Sequence, residues 1–517
     1  MHTRRAGRAR APWVSFGLLA GLLATLVGCA DDEAAGGTGP SSVVRGPVDD
    51  ALGEALRRGA GPPPPQAAES PWIAPETPRA AGSSRVVVLG MDGLEWRMVE
   101  RLVAEGQLPH FAKLLADGVT ADLHVPPPIM SPVLWTTMAS GYGPETHGIG
   151  GWTNGRGRPT TGADVRAERI WDVLSARGEA SVVSGWLMTW PASPIPGALL
   201  SERFVWSYPM NKDADEAVLD TPETWATTAP DALAPYAERL RPDAVWLAAH
   251  PLGYQVAAYG APFHPFPRDE THLRVFEALW PRVDARFGAV YLNIADQVSH
   301  LYWPFSDPDV QAALRADPTA RQRALEALAT KKSGHAGSKL PYAGPLDAVQ
   351  LGEAARWVPD VYAWLDASLG RVRATVGADT TLLVVSDHGF QASSSQPLVH
   401  GGHRDIAFFA AVGPRVRDAA RGARAAFGVE DVAPTIYALL DVPAAADMPG
   451  RARSDLFDVA ELPRVPTRAL ARVAIEAPSG AEDDLADRQL REQLEALGYI
   501  DDQGRPVMDV GASRREK

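Results

Sequence analysis

The sequence predicts an α/β protein with a largely parallel sheet covered by helices on both faces. Short continuous apolar runs recur along it: "VVVLGM" (Val86 to Met91), "GAVYLNIAD" (Gly288 to Asp296), "TTLLVVSDHG" (Thr380 to Gly389) and "IAFFAAVG" (Ile406 to Gly413). Such runs mark strands buried on both faces. Helical patterns lie between them, among them "LPHFAKLLADG" and "AARWVPDVYAWLDASLGRV". Strands that alternate with helices build a parallel sheet with helices on either side.

The first 28 residues stand apart from that pattern. Arg4, Arg5, Arg8 and Arg10 precede an apolar run of 16 residues, Trp13 to Gly28. That run is short for a membrane span and suits a secretory signal. It ends in "LVGC", which resembles the lipobox of bacterial lipoproteins, where the cysteine is lipidated and becomes the mature N-terminus. Residues 1–28 are therefore expected to be a lipoprotein signal peptide. The chain is expected to be exported and anchored to the cell-envelope membrane through lipidated Cys29. Cys29 is the only cysteine, so no intrachain disulfide can form.

Residues 29–82 are rich in Ala, Gly and Pro and read as a flexible tether. The main domain spans 83–450. Within it, about 195–285 lacks the strand–helix alternation and reads as a cap insertion, and about 328–348 reads as a loop insertion. Residues 451–517 form a C-terminal extension with an amphipathic helix, "LADRQLREQLEALGYI".

Charge narrows the partners. Without residues 1–28 the chain keeps 46 basic against 63 acidic groups, a net −17. A nucleic-acid polymer is not expected on so acidic a body. An anionic substrate would need local positive charge, for instance bound metal.

Three strand runs end in groups able to supply it. The first ends at Asp92. The second ends at Asp296, with His300 four residues on, a spacing that puts carboxylate and imidazole on one helix face. The third ends in Asp387 and His388, and His403 stands just before the next strand. Ligands of open α/β sheets bind beyond the carboxyl ends of the strands. Any one of these residues could be a turn, cap or core residue. Together, three carboxylates and three imidazoles exceed one zinc site and suit a pair of zinc-like ions with open positions for substrate. A further stretch, "SPVLWTTMASGYGPETHGI", holds four candidate hydroxyls, Ser131, Thr136, Thr137 and Ser140, and alone does not choose among them.

"GMDGLEW", "SPVLWTTMASGYGPETHGI", "DQVSHLYW", "VVSDHGF" and "GGHRDIAFFAAVGP", in that order, resemble the type I phosphodiesterase/nucleotide pyrophosphatase branch of the alkaline phosphatase superfamily. The resemblance runs over roughly residues 85–457. It implies a three-layer αβα sandwich, alkaline phosphatase-like, with two zinc ions bridged by the substrate phosphate. Asp296, His300 and His403 would hold one metal; Asp92, Asp387 and His388 would hold the other, together with the nucleophile. Counting back from His147 places that nucleophile on Ser131. Pro132 suits the first helical position, which makes Ser131 the expected N-cap, beside the N–H groups that attract phosphate. Two departures stand out: Ser131 where zinc-dependent pyrophosphatases usually carry Thr, and Ala407 where many relatives have Gly. His400 is a rival to His403.

The implied activity is metal-dependent hydrolysis of a phosphodiester or pyrophosphate bond through a phosphoseryl intermediate. The alternatives are a phosphomonoesterase, or a lipoprotein that keeps the fold as a binding module. The substrate is expected to be a phosphorylated small molecule or envelope component. Lys331, Lys332, His335 and Lys339 of the loop insertion read either as a phosphate-steering lid or as a solvated loop. The sequence leaves the oligomeric state open.

Overall fold

The computed structural model describes residues 71–466, apart from 77, 155–157, 205–226, 251, 253–264, 320–321, 323–347 and 394–400. The expected signal peptide, Cys29, most of the tether, the lysines of the loop insertion, His400 and the amphipathic tail helix lie outside the described residues.

The strands, in chain order, are β1 (Arg85–Met91), β2 (Val119–His124), β3 (Ser181–Ser184), β4 (Gly197–Leu200), β5 (Thr228–Ala229), β6 (Phe287–Leu292), β7 (Thr380–Val385), β8 (Gly389–Ala392), β9 (Gly401–Arg404), β10 (Ile406–Val412) and β11 (Arg424–Gly428). Nine of them form one sheet in the order β11-β2-β10-β7-β1-β6-β3-β4-β5, and β8 and β9 form a separate hairpin. The run β7-β1-β6-β3-β4 is parallel throughout. β10 is antiparallel to both its neighbours, so the sheet is mixed but mostly parallel. The apolar run that predicted β10 could not reveal its direction, because both faces of the strand are buried either way.

Strand alternation divides the core. Val87, Leu89 and Met91 of β1 face one apolar cluster, while Val86 and Val88 face the other. The helices that close these faces are α1 (Trp96–Ala104), α2 (Pro109–Asp117), α3 (Ser131–Ser140), α4 (Pro265–Leu279), α5 (Ile294–Ser306), α6 (Ala348–Val376) and α7 (Val432–Leu439). α1, α2, α4, α5 and α6 cover the first face; α3, α7 and a short helix, Ile170–Ser175, cover the second. The result is a three-layer αβα arrangement. Each large side chain buried this way contributes about 1.5–3 kcal/mol. Among the described residues, no helix is long and apolar enough to cross a membrane.

Within the segment expected as a cap insertion, the described residues include regular elements. β4 and β5 extend the sheet, and α4 packs beneath it with Leu273, Phe276 and Leu279 buried. These strands are four and two residues long, too short to give a readable apolar run. Ile73 exchanges backbone hydrogen bonds with Gly197, and Arg79 pairs with Asp284 at 3.0 Å.

One glycine in β1 sets how closely α3 can approach. A Cβ at Gly90 would lie 2.7 Å from the Trp135 ring, which seats on that gap and packs edge-on against Trp186 and Tyr291. Gly90→Ala is expected to overpack this layer, lowering stability by about 1–3 kcal/mol in denaturant unfolding. An unchanged midpoint would mean that the Trp135 layer yields freely.

Candidate metal centre

β1, β6 and β7 are parallel neighbours, so their carboxyl ends open on one edge of the sheet. Asp92 follows β1. Gly93 next to it has φ 69° and would place a Cβ 3.0 Å from the Asp296 backbone, so the turn needs glycine to pass so close. Asp296 lies in the first turn of α5 with His300 one turn later, and the expected shared face is realised: His300 Nε2 is 3.2 Å from Asp296 Oδ1. Asp387 and His388 follow β7. The Ser386 hydroxyl accepts from Leu94 N–H at 3.0 Å and donates to His388 O at 2.8 Å, tying the β7 loop to the β1 loop. His403 comes in on β9.

The structure brings all six side chains together. His388 Nε2 is central, 3.3 Å from Asp92 Oδ1 and 3.6 Å from both Asp296 Oδ1 and Asp387 Oδ2. His403 Nε2 lies 3.4 Å from Asp296 Oδ1 and 3.0 Å from His300 Nε2. Among the described residues, two groups are compact enough to hold a cation: Asp92, Asp387 and His388, and Asp296, His388 and His403. His388 thus stands between the two expected ligand sets rather than in one alone. The donors also fit such an ion chemically. Both carboxylate oxygens of Asp387 are buried without a hydrogen-bond partner, a costly arrangement that a cation would relieve.

Ser131 is buried at the same edge, and its hydroxyl lies 3.5 Å from Asp92 Oδ1. The expected N-cap assignment is corrected by one position. Met130 is the N-cap, extended at φ −133°, ψ 127°, and Ser131 is the first helical residue. A serine in the cap would bond its own helix, whereas here the hydroxyl turns to Asp92. The other hydroxyls satisfy the helix: Thr136 bonds Pro132 O, Thr137 bonds Val133 O and Ser140 bonds Thr136 O. His147 is structural, its Nδ1 accepting from Ile149 N–H and its Nε2 facing Thr137 Oγ1 at 3.2 Å.

Sequence reasoning missed the support behind Asp92. Its Oδ2 accepts from Trp135 Nε1 at 3.1 Å, from the Tyr291 hydroxyl, and at 3.5 Å from Asn293 Nδ2. Oδ1 is thereby the oxygen left facing Ser131 and His388. These donors come from two separate segments, and no spacing announces them.

A model of the type I phosphodiesterase/nucleotide pyrophosphatase family matches residues 86–407. The chain belongs to that family. It is thereby a phosphoric ester hydrolase of the alkaline phosphatase superfamily. No curated protein matches it. Among solved structures it is similar to BT1596, a 2-O GAG sulfatase, at 12% identity and TM-score 0.41, covering 72% of this chain and 73% of the other. It is also similar to murine ectonucleotide pyrophosphatase/phosphodiesterase 5, an inactive variant in complex with AMP, at 13% identity and TM-score 0.36, covering 72% and 100%. A third is phosphonoacetate hydrolase from Sinorhizobium meliloti 1021 in complex with phosphonoformate, at 14% and 0.33, covering 62% and 60%.

The electrostatics of this phosphodiesterase-family centre follow from crowding. Burial, and then the neighbouring Asp92 charge, push the Asp387 carboxyl well above its ordinary range. Burial alone would lower His388, but Asp387 and Asp92 outweigh it and lift the imidazole to about 10. Burial and the His388 charge lower His403 to about 4. Burial opposes ionisation of Asp296, yet His300 and His403 hold its carboxyl well below the usual range. The buried donors and acceptors are thus consistent with bound metal ions, which would displace the proton held on His388.

The sign of the pH dependence follows. Without metal, folded His388 keeps a proton up to about 10 that the unfolded chain releases near 6.5. That stabilisation is complete below the unfolded value and is lost as pH rises through the folded one. With a chelator present, the unfolding midpoint is expected to fall between about pH 7 and 10, and His388→Gln to flatten the slope. A wild-type midpoint that rises across this window would contradict the assignment.

Proposed function

We propose that this chain hydrolyses a phosphodiester or pyrophosphate bond in two steps, with Ser131 as nucleophile at a centre of two divalent metal ions, zinc by the donor set. Asp296, His300 and His403 would hold one ion; Asp92, Asp387 and His388 would hold the other, with Ser131 beside it. The observation that carries this reading is that Ser131 Oγ and His388 Nε2 approach the same oxygen, Asp92 Oδ1, at 3.5 and 3.3 Å. When bound, the cations would neutralise the phosphate and lower the pKa of the serine hydroxyl.

Ser131 Oγ forms a bond to phosphorus as the ester oxygen departs with its electron pair, and the serine proton passes to solvent. Water then attacks the phosphoseryl group from the opposite side, restoring Ser131 and releasing the phosphoryl product. Trp135, Tyr291 and Asn293 keep Asp92 fixed through both steps. The substrate is a phosphorylated small molecule or an envelope component. We further propose that the chain is an exported lipoprotein held at the membrane through lipidated Cys29, which would place the site on the periplasmic or cell-surface side.

Ser131→Ala is expected to lower kcat by at least about a thousandfold while zinc content, measured on purified protein, stays near two per chain. Full activity in this variant would remove Ser131 from the mechanism. Wild-type turnover of bis(p-nitrophenyl) phosphate should exceed that of the mono ester; the reverse order would favour a phosphomonoesterase. Cys29→Ser is expected to shift the protein from the membrane to the soluble fraction, and continued membrane retention would count against lipidation.

A further inference from the structure

We propose that Glu95 is a positioning residue for the metal centre, clamping the β8–β9 hairpin so that His403 stays in reach of Asp296 and His300. The inference rests on the two-metal reading above and assigns a role to a residue that is not itself a ligand.

The hairpin needs an external hold. It has four residues in each strand and belongs to no larger sheet, and so short a two-stranded ribbon is marginal by itself. Yet it carries His403, and His388 immediately precedes it. Glu95 is fully buried and reaches both strands at once. Its Oε2 accepts from Phe390 N–H of β8 at 2.9 Å, and its Oε1 accepts from Arg404 Nη1 of β9 at 2.8 Å. The two gripped residues fix the histidine's own register, because Phe390 pairs with His403 and Arg404 follows it in β9. The grip is close. A Cβ at Gly389 would come to 2.4 Å from Glu95 Oε2.

Glu95 is itself anchored. It is the N-cap of α1, with Oε1 accepting from Arg97 N–H at 3.1 Å, and its backbone N–H donates to the Tyr362 hydroxyl of α6 at 2.9 Å. It follows Asp92 by three residues, so the loop that presents one ligand also holds the hairpin that presents another. Between the clamp and the ligands lies Phe390, whose ring centre is 5.1, 5.9 and 5.7 Å from those of His300, His388 and His403. A hairpin that slid would carry this ring and His403 together. His388 is less dependent on the clamp, because Ser386 ties its backbone to the β1 loop.

Every group facing the Glu95 carboxylate is a donor: Phe390 N–H, Arg404 Nη1, and Arg97 through N–H and Nε. Glu95→Gln keeps the shape but turns an NH₂ toward one of them, so it is a shape-matched test. Full-length protein, stripped with chelator, is titrated with zinc against a chromophoric competitor. Wild type should show two sites per chain. Glu95→Gln should keep one within about threefold and weaken the other by about 10–100-fold. In a His403→Ala background the same change should add almost nothing, because the two act through one ligand set.

Two wild-type affinities in Glu95→Gln would overturn the inference and leave the two-metal reading intact. A wild-type protein that takes up no zinc would overturn both. Should Glu95→Gln fail to fold, Arg404→Ala decides. That side chain is a quarter exposed and its loss leaves the Phe390 bond in place. It should weaken the same site by about three- to tenfold, within the range expected for an outer partner of a ligand, and unchanged affinities would overturn the clamp.

Discussion

Asp92, Asp296 and Asp387 converge on the His388 imidazole at the carboxyl edge of the sheet, all of them buried. Buried like charges repel and lose their hydration, so this concentration of carboxylate is unfavourable unless something positive joins it. A proton on His388 relieves part of the repulsion in the chain alone. A divalent cation relieves more, and it offers the same charge to a phosphate. The centre is thus costly for the fold and useful for the chemistry for the same reason.

Holding such a site together falls to neutral packing and to hydrogen bonds from behind. Three parallel strands bring Asp92, Asn293 and Asp387 to one edge. Gly90 lets the Trp135 ring settle against β1, and from there its indole N–H reaches Asp92. Tyr291, directly across from Gly90 in the register, supplies a second donor. α3 therefore contributes in two ways: its first residue turns a hydroxyl toward Asp92, and Trp135, one turn further on, helps fix Asp92 in place.

Much of the site was legible because it obeys local rules. Asp92, Asp387 and His388 stand where apolar strand runs stop, and Asp296 and His300 are spaced for one helix face. The chain order of these motifs carries the family resemblance, and the match to residues 86–407 shows the family. Less was legible wherever the partner is distant. Trp135 is 43 residues from Asp92 and Tyr291 is 199 from it, and neither has a spacing that would mark it. Ser131 was placed one position early because Pro132 is tolerated at either of the first two helical positions. β4 and β5 were not legible, because strands of four and two residues show no period.

The sequence by itself determined the α/β class, the main strands of the central sheet, and the residue types at their carboxyl ends. Those properties follow from hydrophobic period and short-range geometry, which neighbouring residues settle among themselves. Only the tertiary structure decided that β10 runs antiparallel, that His388 stands between both ligand sets, and that Glu95 contacts both strands of the hairpin that carries His403. Each of these depends on which segments meet across hundreds of residues. That meeting is set by how two apolar faces pack against one twisted sheet, and no local pattern encodes it.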